Sequence, residues 1–301
     1  MTGNHATGRL FAAEGALGQV LRHFYAIRTP PEGQTQVQHL SPHYDMMLVF
    51  NFGPPVRISF HQEAFDEREV RQTAVIGPLR KLLNYELKPG SDLVAAVFTL
   101  DGFYRLFQVP LPELPGQAWL DPDGLPGQDS FNPLWETLRE LDALPERIGF
   151  LNAYLAAFVQ QSDEASLPLL DAIPYFRNPA VNPAKAVALD HQLSDRTVQL
   201  RFQKYLGFSP KEMIRFVRFK QVLYRLVQQP GKPVDWHELV IGFGYHDQSH
   251  LIKDFGHFLG TTPQKFVKSY ADYCIAQPAR QYLDPPLPPQ ENAPFGPDAG
   301  T

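Results

Sequence analysis

The strongest constraint in this sequence is a switch in the period of its apolar residues. Up to about residue 100 they come in short runs rich in β-branched and aromatic side chains: residues 20–28, 46–52, 56–60, 73–76 and 93–99. Turn signals bound several of these runs: Gly53-Pro54-Pro55, Gly77-Pro78 and Pro89-Gly90-Ser91-Asp92. In 46–52, Leu48, Phe50 and Phe52 alternate onto one face while Asn51 points the other way. Short strands with frequent turns predict an antiparallel barrel or sandwich. From Val181 to about Tyr273 the period becomes helical. The join falls at Ile173-Pro174-Tyr175-Phe176-Arg177-Asn178-Pro179, where two prolines and an asparagine interrupt both patterns.

The expected fold class is therefore α+β. An N-terminal β-rich barrel or sandwich (1–130) leads through a helical connector (131–180) to an all-α domain (181–273), followed by a tail (274–301). Within the first part, Asp101 is placed to cap a short helix through Phe107. A loop rich in Pro, Gly and Asp spans 110–129. Residues 133–144 and 145–161 each open on a proline, which suits a first helical turn. Ile148, Leu151, Tyr154, Leu155 and Phe158 keep helical spacing, so these helices bridge two domains or pair between subunits. The segment 277–301 has 7 prolines and is expected to be disordered or polyproline-like.

A length of 301 residues with one cysteine, Cys274, suits two ordinary domains. It excludes an internal disulfide framework and a zinc site built from several thiolates. Apolar runs such as 93–100 fall far short of the ~20 residues a membrane helix needs. The first twenty residues carry Arg9 and Glu14 and no apolar block, so no secretory signal and a cytoplasmic location are expected.

The net charge of −5 conceals a division. Residues 1–173 carry 12 Lys+Arg against 21 Asp+Glu, residues 174–270 carry 14 against 7, and residues 271–301 carry 1 against 4. A basic module tethered to an acidic one raises the expectation of a nucleic-acid partner for the basic part.

Side-chain placement within the basic module sharpens that expectation. Ser194 is a good N-cap. Val198, Phe202 and Tyr205 then face a core, and Arg196, Gln199, Leu200 and Gln203 share the opposite face, flanked by Arg201 and Lys204. The preceding helix, from Pro183 to about Asp190, is joined by His191-Gln192-Leu193. That layout is a helix-turn-helix, whose second helix lies in the major groove. Arg and Gln suit guanine and adenine edges. A second unit follows, with Asp235 capping a helix through Phe243 and Gly244 at its left-handed end. A helix from about Asp247 then buries Leu251, Phe255 and Phe258 and presents Gln248, Ser249, Ile252 and Lys253. Between the units, Ser209-Pro210 opens a helix to about Gln228, long enough to hold two recognition helices on one side of a duplex. His250 is expected to cap or pack, and Trp236 to pack.

The runs Leu193-Ser194, Arg196-Thr197 and 202–212, then 244–255, Phe258-Leu259-Gly260 and Thr262-Pro263, together resemble the two halves of an AraC-type DNA-binding domain (AraC/XylS family). The resemblance covers Val181 to about Tyr273. It implies a sequence-specific transcriptional regulator, activator or repressor. Its partners would be double-stranded DNA, a small-molecule effector held in the N-terminal domain, a second copy as homodimer, and RNA polymerase. The implied DNA-binding residues are Arg196, Gln199, Leu200, Gln203, Lys204, Gln248, Ser249, Ile252 and Lys253. The chain departs from the family pattern at His191-Gln192, where Leu-Gly is usual, and at Leu200, where arginine is frequent. It departs again at Gly256-His257, commonly a basic pair, and at Lys253, which lacks an arginine's fork. Weak monomeric binding, steeply salt-dependent and helped by dimerisation, is the corresponding expectation.

A rival reading comes from His39, His43 and His61, which suggest a cupin-like metal site that Asp45 and Glu63 would join. The spacing is poor, and no metal, cofactor or catalytic residue is expected. The alternative is a metal-dependent cupin-like enzyme fused to the helix-turn-helix module. Tyr44, Phe50, Phe52 and Phe98 line an effector cavity or form the barrel core. No phosphate loop or nucleophile elbow is present.

Overall fold

The computed structural model describes residues 7–60, 64–65, 68–114, 119–125, 131–171, 175, 181–228, 233–269 and 273–274. The expected join at 173–179, except Tyr175, and the proline-rich tail lie outside these residues.

Two sheets form the N-terminal part. The strands are β1 (Thr7–Phe11), β2 (Leu21–Arg28), β3 (Gln36–Leu40), β4 (Met47–Asn51), β5 (Val56–Phe60), β6 (Glu69–Val70), β7 (Thr73–Ile76), β8 (Leu83–Leu87), β9 (Asp92–Phe98), β10 (Trp119–Leu120) and β11 (Tyr273–Cys274). The first sheet runs β1-β2-β9-β4-β7-β10 and the second β11-β3-β8-β5-β6. Every pairing is antiparallel except β11 with β3. Among the described residues no strand pairing joins the sheets, so the expected barrel or sandwich is a sandwich.

Alternation in β4 decides what each face meets. Met47 and Val49 join Ile58, Phe60, Leu83 and Val97 between the sheets. Leu48 and Phe50 turn the other way, to a core shared with Phe98, Phe103 and the helices. All five residues of β4 are consequently buried, as expected of a central strand covered on both faces. Asn51 is enclosed too, and its side-chain amide donates to the carbonyls of Val70 (2.9 Å) and Pro54 (3.0 Å), closing the loop edge. A one-residue slip would move this whole set to the wrong side.

Helices α1 (Gly102–Phe107), α2 (Phe131–Arg139) and α3 (Leu144–Ala156) cover the first sheet. Trp135 donates its indole N–H to the Asn51 carbonyl at 2.7 Å and stacks on Phe52. Arg147, buried on α3, pairs with Asp92 at 2.9 Å and lies 3.9 Å over the Phe52 ring. Two expectations are corrected here. Asp101 precedes α1 but makes no side-chain cap; its carboxylate meets the Thr99 hydroxyl instead. Phe158 lies beyond the end of α3 and is exposed. No helix among the described residues is long and apolar enough to cross a membrane.

The rest is helical: α4 (Leu167–Asp171), α5 (Pro183–Asp190), α6 (Asp195–Leu206), α7 (Pro210–Val227), α8 (Trp236–Gly242), α9 (Gln248–Leu259) and α10 (Pro263–Ser269). Its buried residues continue the core on the helical side of the first sheet, without a break.

Candidate nucleic-acid interface

Two helix pairs are built by the same local chemistry. In the first, Asn182 caps α5 by accepting from the Lys185 N–H at 3.2 Å, with Pro183 next to it. The turn closes with Leu193 N–H on the Ala188 carbonyl at 2.8 Å, and Gln192 takes φ +52°. Ser194 then caps α6, accepting from the Thr197 N–H at 3.0 Å. In the second, Asp235 caps α8 by accepting from His237 and Glu238. Tyr245 N–H closes on the Val240 carbonyl at 2.9 Å, and Gly244 has φ +69°. Asp247 caps α9, accepting from the His250 N–H at 2.7 Å. Gln192 thus occupies the left-handed position that glycine fills in the second unit.

Helix α7 is the common support. Ser209 and Glu212 form a reciprocal capping box at its start. Its 18 residues extend about 27 Å at about 1.5 Å per residue. Phe219 stacks on Phe258 at 4.6 Å and meets Phe255 edge-on at 5.2 Å. Beside them Asp254 is fully enclosed. Its carboxylate accepts from Arg215 Nε at 2.7 Å and from the Tyr245 hydroxyl at 3.0 Å, and pairs with Arg218 at 3.5 Å. Burial, then the Asp254 charge, pushes the Tyr245 hydroxyl far up, so it stays a donor. Arg218 also lies 4.2 Å over the Tyr245 ring and reaches the Gly244 carbonyl at 3.3 Å. Ion cluster and aromatic stack together fix α9 on α7.

The outward faces are open. Arg196, Gln199, Leu200 and Gln203 are exposed on α6, and Gln248, Ser249, Ile252 and Lys253 on α9. Val198, Phe202 and Tyr205, and Leu251, Phe255 and Phe258, are buried behind them. Lys204, expected to flank this face, turns toward the β-rich part. Its ammonium donates to the Tyr205 hydroxyl at 3.1 Å, lies 3.9 Å from Asp163 and faces the Tyr104 ring at 5.3 Å. The cause is position: one turn beyond Leu200, α6 has come up against Tyr104 of α1 and the segment before α4. Tyr205 donates to Asp163, which holds that carboxyl below its ordinary range. The Tyr205 hydroxyl itself is pushed up, by burial first, and Lys204 is held up by its bond to Tyr205. His250 packs edge-on against Tyr245 beside Arg218, and Trp236 is part-buried against the core.

The β-rich part meets this module along a wide contact. Tyr44 stacks on Phe208 (4.5 Å) and meets Phe216 at a tilt (4.1 Å), so its ring fills the junction. Lys220 of α7 donates to the Ser41 hydroxyl at 3.2 Å, and Leu82 N–H donates to the Phe258 carbonyl at 2.9 Å. Arg80 donates to the Gly207 carbonyl and pairs with Glu212 at 3.7 Å. Gly207 has φ +77°, and a Cβ there would lie 2.7 Å from the Leu111 side chain. Phe50 and Phe98 are core residues, and Phe52 stacks between Phe50 and Trp135.

The histidines do not converge. His39 is hydrogen-bonded to Asn84 at 2.7 Å within the second sheet. His43 lies enclosed near the junction, and burial holds it down at about 4. Asp45 is committed to Arg22 at 3.0 Å. His61 and Glu63 lie outside the described residues. Among the described residues no three His, Cys, Asp or Glu side chains are grouped to hold a metal.

Asp254 and its arginines are the residues that sequence reasoning missed. Their signal was present: Asp254 interrupts the apolar stripe 251, 255, 258 at a buried phase of α9. A carboxylate there requires partners from a neighbouring element.

Two capped helix-turn-helix units on one supporting helix, each with an open polar face, define a DNA-binding module carried behind a β-sandwich. It is an AraC-type helix-turn-helix domain. A family model described as a helix-turn-helix domain matches residues 187–269, and one described as a domain of unknown function (DUF6597) matches residues 9–119. No curated protein matches the chain. Similar solved structures include ToxT from Vibrio cholerae O395, with 9% identity over 88% of this chain and 96% of that one, at a TM-score of 0.39. Another is unsaturated fatty acid-bound wild-type ToxT from Vibrio cholerae strain SCE256 (9%, 89% and 97%, 0.41). A third is the AraC-like transcriptional activator CuxR (11%, 68% and 78%, 0.27). Identities and TM-scores this low carry no residue roles across.

Proposed function

We propose that the chain is a sequence-specific transcriptional regulator that reads double-stranded DNA with α6 and α9 and responds to a small molecule in its N-terminal domain. The observation that carries the reading is the paired exposure of Arg196, Gln199, Leu200 and Gln203 on one capped helix and Gln248, Ser249, Ile252 and Lys253 on the other. The excess of 14 Lys+Arg over 7 Asp+Glu in residues 174–270 supports it, since phosphate neutralisation dominates duplex affinity. The division into a sensory part (1–130), connector (131–180), DNA-binding part (181–273) and tail (274–301) belongs to this proposal, as do dimerisation and polymerase contact.

Control would run through the junction. Tyr44, Ser41 and Arg80 hold α7 and the end of α6, Leu82 holds α9, and Asp163 holds Lys204 and Tyr205. A ligand that favours a different placement of the sheets moves the reading helices only as far as its affinity differs between the two placements. Lys204 would reach phosphate once released from Asp163.

Fluorescence anisotropy on a duplex enriched from a random pool by the full-length protein tests the reading. Affinity should fall steeply with salt. Arg196→Ala with Lys253→Ala should weaken binding and flatten the slope by up to about 1.8, at about 0.9 for each phosphate no longer neutralised. Binding indifferent to salt, or untouched by the double substitution, would sink it.

A further inference from the structure

Each reading face carries one aliphatic side chain at its centre. Leu200, the sixth residue of α6, is 54% exposed, and Ile252, the fifth of α9, is 42% exposed. Around Leu200 the open positions are Arg196, Gln199 and Gln203; around Ile252 they are Gln248, Ser249 and Lys253. A single exposed leucine needs no explanation. Two, one on the open face of each capped helix, form a pattern, although Leu200 stands six residues past the Ser194 cap and Ile252 five past the Asp247 cap, so they are adjacent and not equivalent positions of the two units. Each lies in the N-terminal half of its helix, the part that meets base edges in a helix-turn-helix.

Only one base offers an aliphatic group in the major groove: thymine, through its C5 methyl. Arg196 and the flanking glutamines supply the forks that suit guanine and adenine, so an aliphatic residue between them adds a contact those side chains cannot make. We infer, resting on the DNA-binding reading above, that Leu200 and Ile252 are specificity-determining residues. Each packs on the methyl of one thymine, in two half-sites about one helical turn apart. The contact removes from water a methyl and a side chain that both stand exposed when apart.

The test replaces thymines by deoxyuridine, one at a time, in the duplex enriched from a random pool, which deletes the methyl and leaves every hydrogen-bonding edge intact. For the full-length protein one position in each half-site should lose about three- to fivefold in affinity, the worth of one buried methyl. Leu200→Ala should weaken the thymine duplex by at least that factor and become indifferent to deoxyuridine at one of the two positions; Ile252→Ala should do the same at the other. Both side chains are exposed, so unchanged denaturation midpoints should accompany these losses. Affinity unchanged at every deoxyuridine position, or full methyl sensitivity kept by both alanine variants, overturns the assignment while the DNA-binding reading stands. Failure to enrich any duplex overturns both.

Discussion

Replacing Asp254 with alanine probes the joint that holds α9 on α7. The carboxylate is wholly enclosed and accepts at 2.7 Å from Arg215 and 3.0 Å from Tyr245, with Arg218 at 3.5 Å. Hydrogen bonds to a charged group contribute about 1.5–3 kcal/mol each, and orphaning one partner of a fully buried ion pair costs about 3–5 kcal/mol. The Arg215 and Arg218 side chains keep 37% and 20% of their exposure, so water can reclaim part of the loss. A destabilisation of about 2–4 kcal/mol follows for Asp254→Ala. Asp254→Asn keeps the volume and one acceptor but turns an N–H₂ toward donors, for about 1–2 kcal/mol. Tyr245→Phe should cost about 1 kcal/mol alone and almost nothing on top of Asp254→Ala, because the two share one bond. Urea unfolding followed by circular dichroism measures all three. DNA affinity at a urea concentration where the variants stay folded should fall too, as α9 loses its anchor. A loss below about 1 kcal/mol for Asp254→Ala would refute the claim that this cluster fixes α9.

Acid should weaken the fold through two histidines, His43 buried and His23 part-buried. Burial holds His43 at about 4, with Lys220 and Arg22 opposing its charge and Asp45 favouring it; burial and Arg22 hold His23 at about 4. Their unfolded value is 6.5, so stability is full above that pH and falls toward pH 4, as the unfolded chain takes up protons the folded one refuses. The slope should reach about 1.4 kcal/mol per pH unit for each histidine; equal midpoints at pH 7 and pH 5 would contradict it. Gln192→Gly should stabilise by about 0.5–1 kcal/mol, since glycine takes φ +52° without the Cβ penalty. A lowered melting temperature in that variant would show that the glutamine side chain holds the turn in some other way.

The features legible in the sequence are those that local chemistry enforces. Ser194, Asp235 and Asp247 announce caps because a short oxygen-bearing side chain satisfies N–H groups two or three residues on. Pro210 and Gly244 mark a helix start and a left-handed turn by backbone sterics alone. The outward and inward faces of α6 and α9 follow from the 3.6-residue period. Strands β3 and β8 were not legible: they are short and carry Gln36, Gln38, Asn84 and Glu86, and only pairing with each other and with β5 makes them strands. Tertiary structure alone decided that the first sheet is covered on both sides, and that Tyr44 fills a junction instead of a cavity. It also decided that Lys204 turns to Asp163 and that Asp254 gathers Arg215, Arg218 and Tyr245. Each of these depends on contacts between separate elements of the chain, Ser41 with Lys220 among them, and no local period records a pairing across that distance. Sequence thus set the local form of α6 and α9, and long-range packing set what holds them.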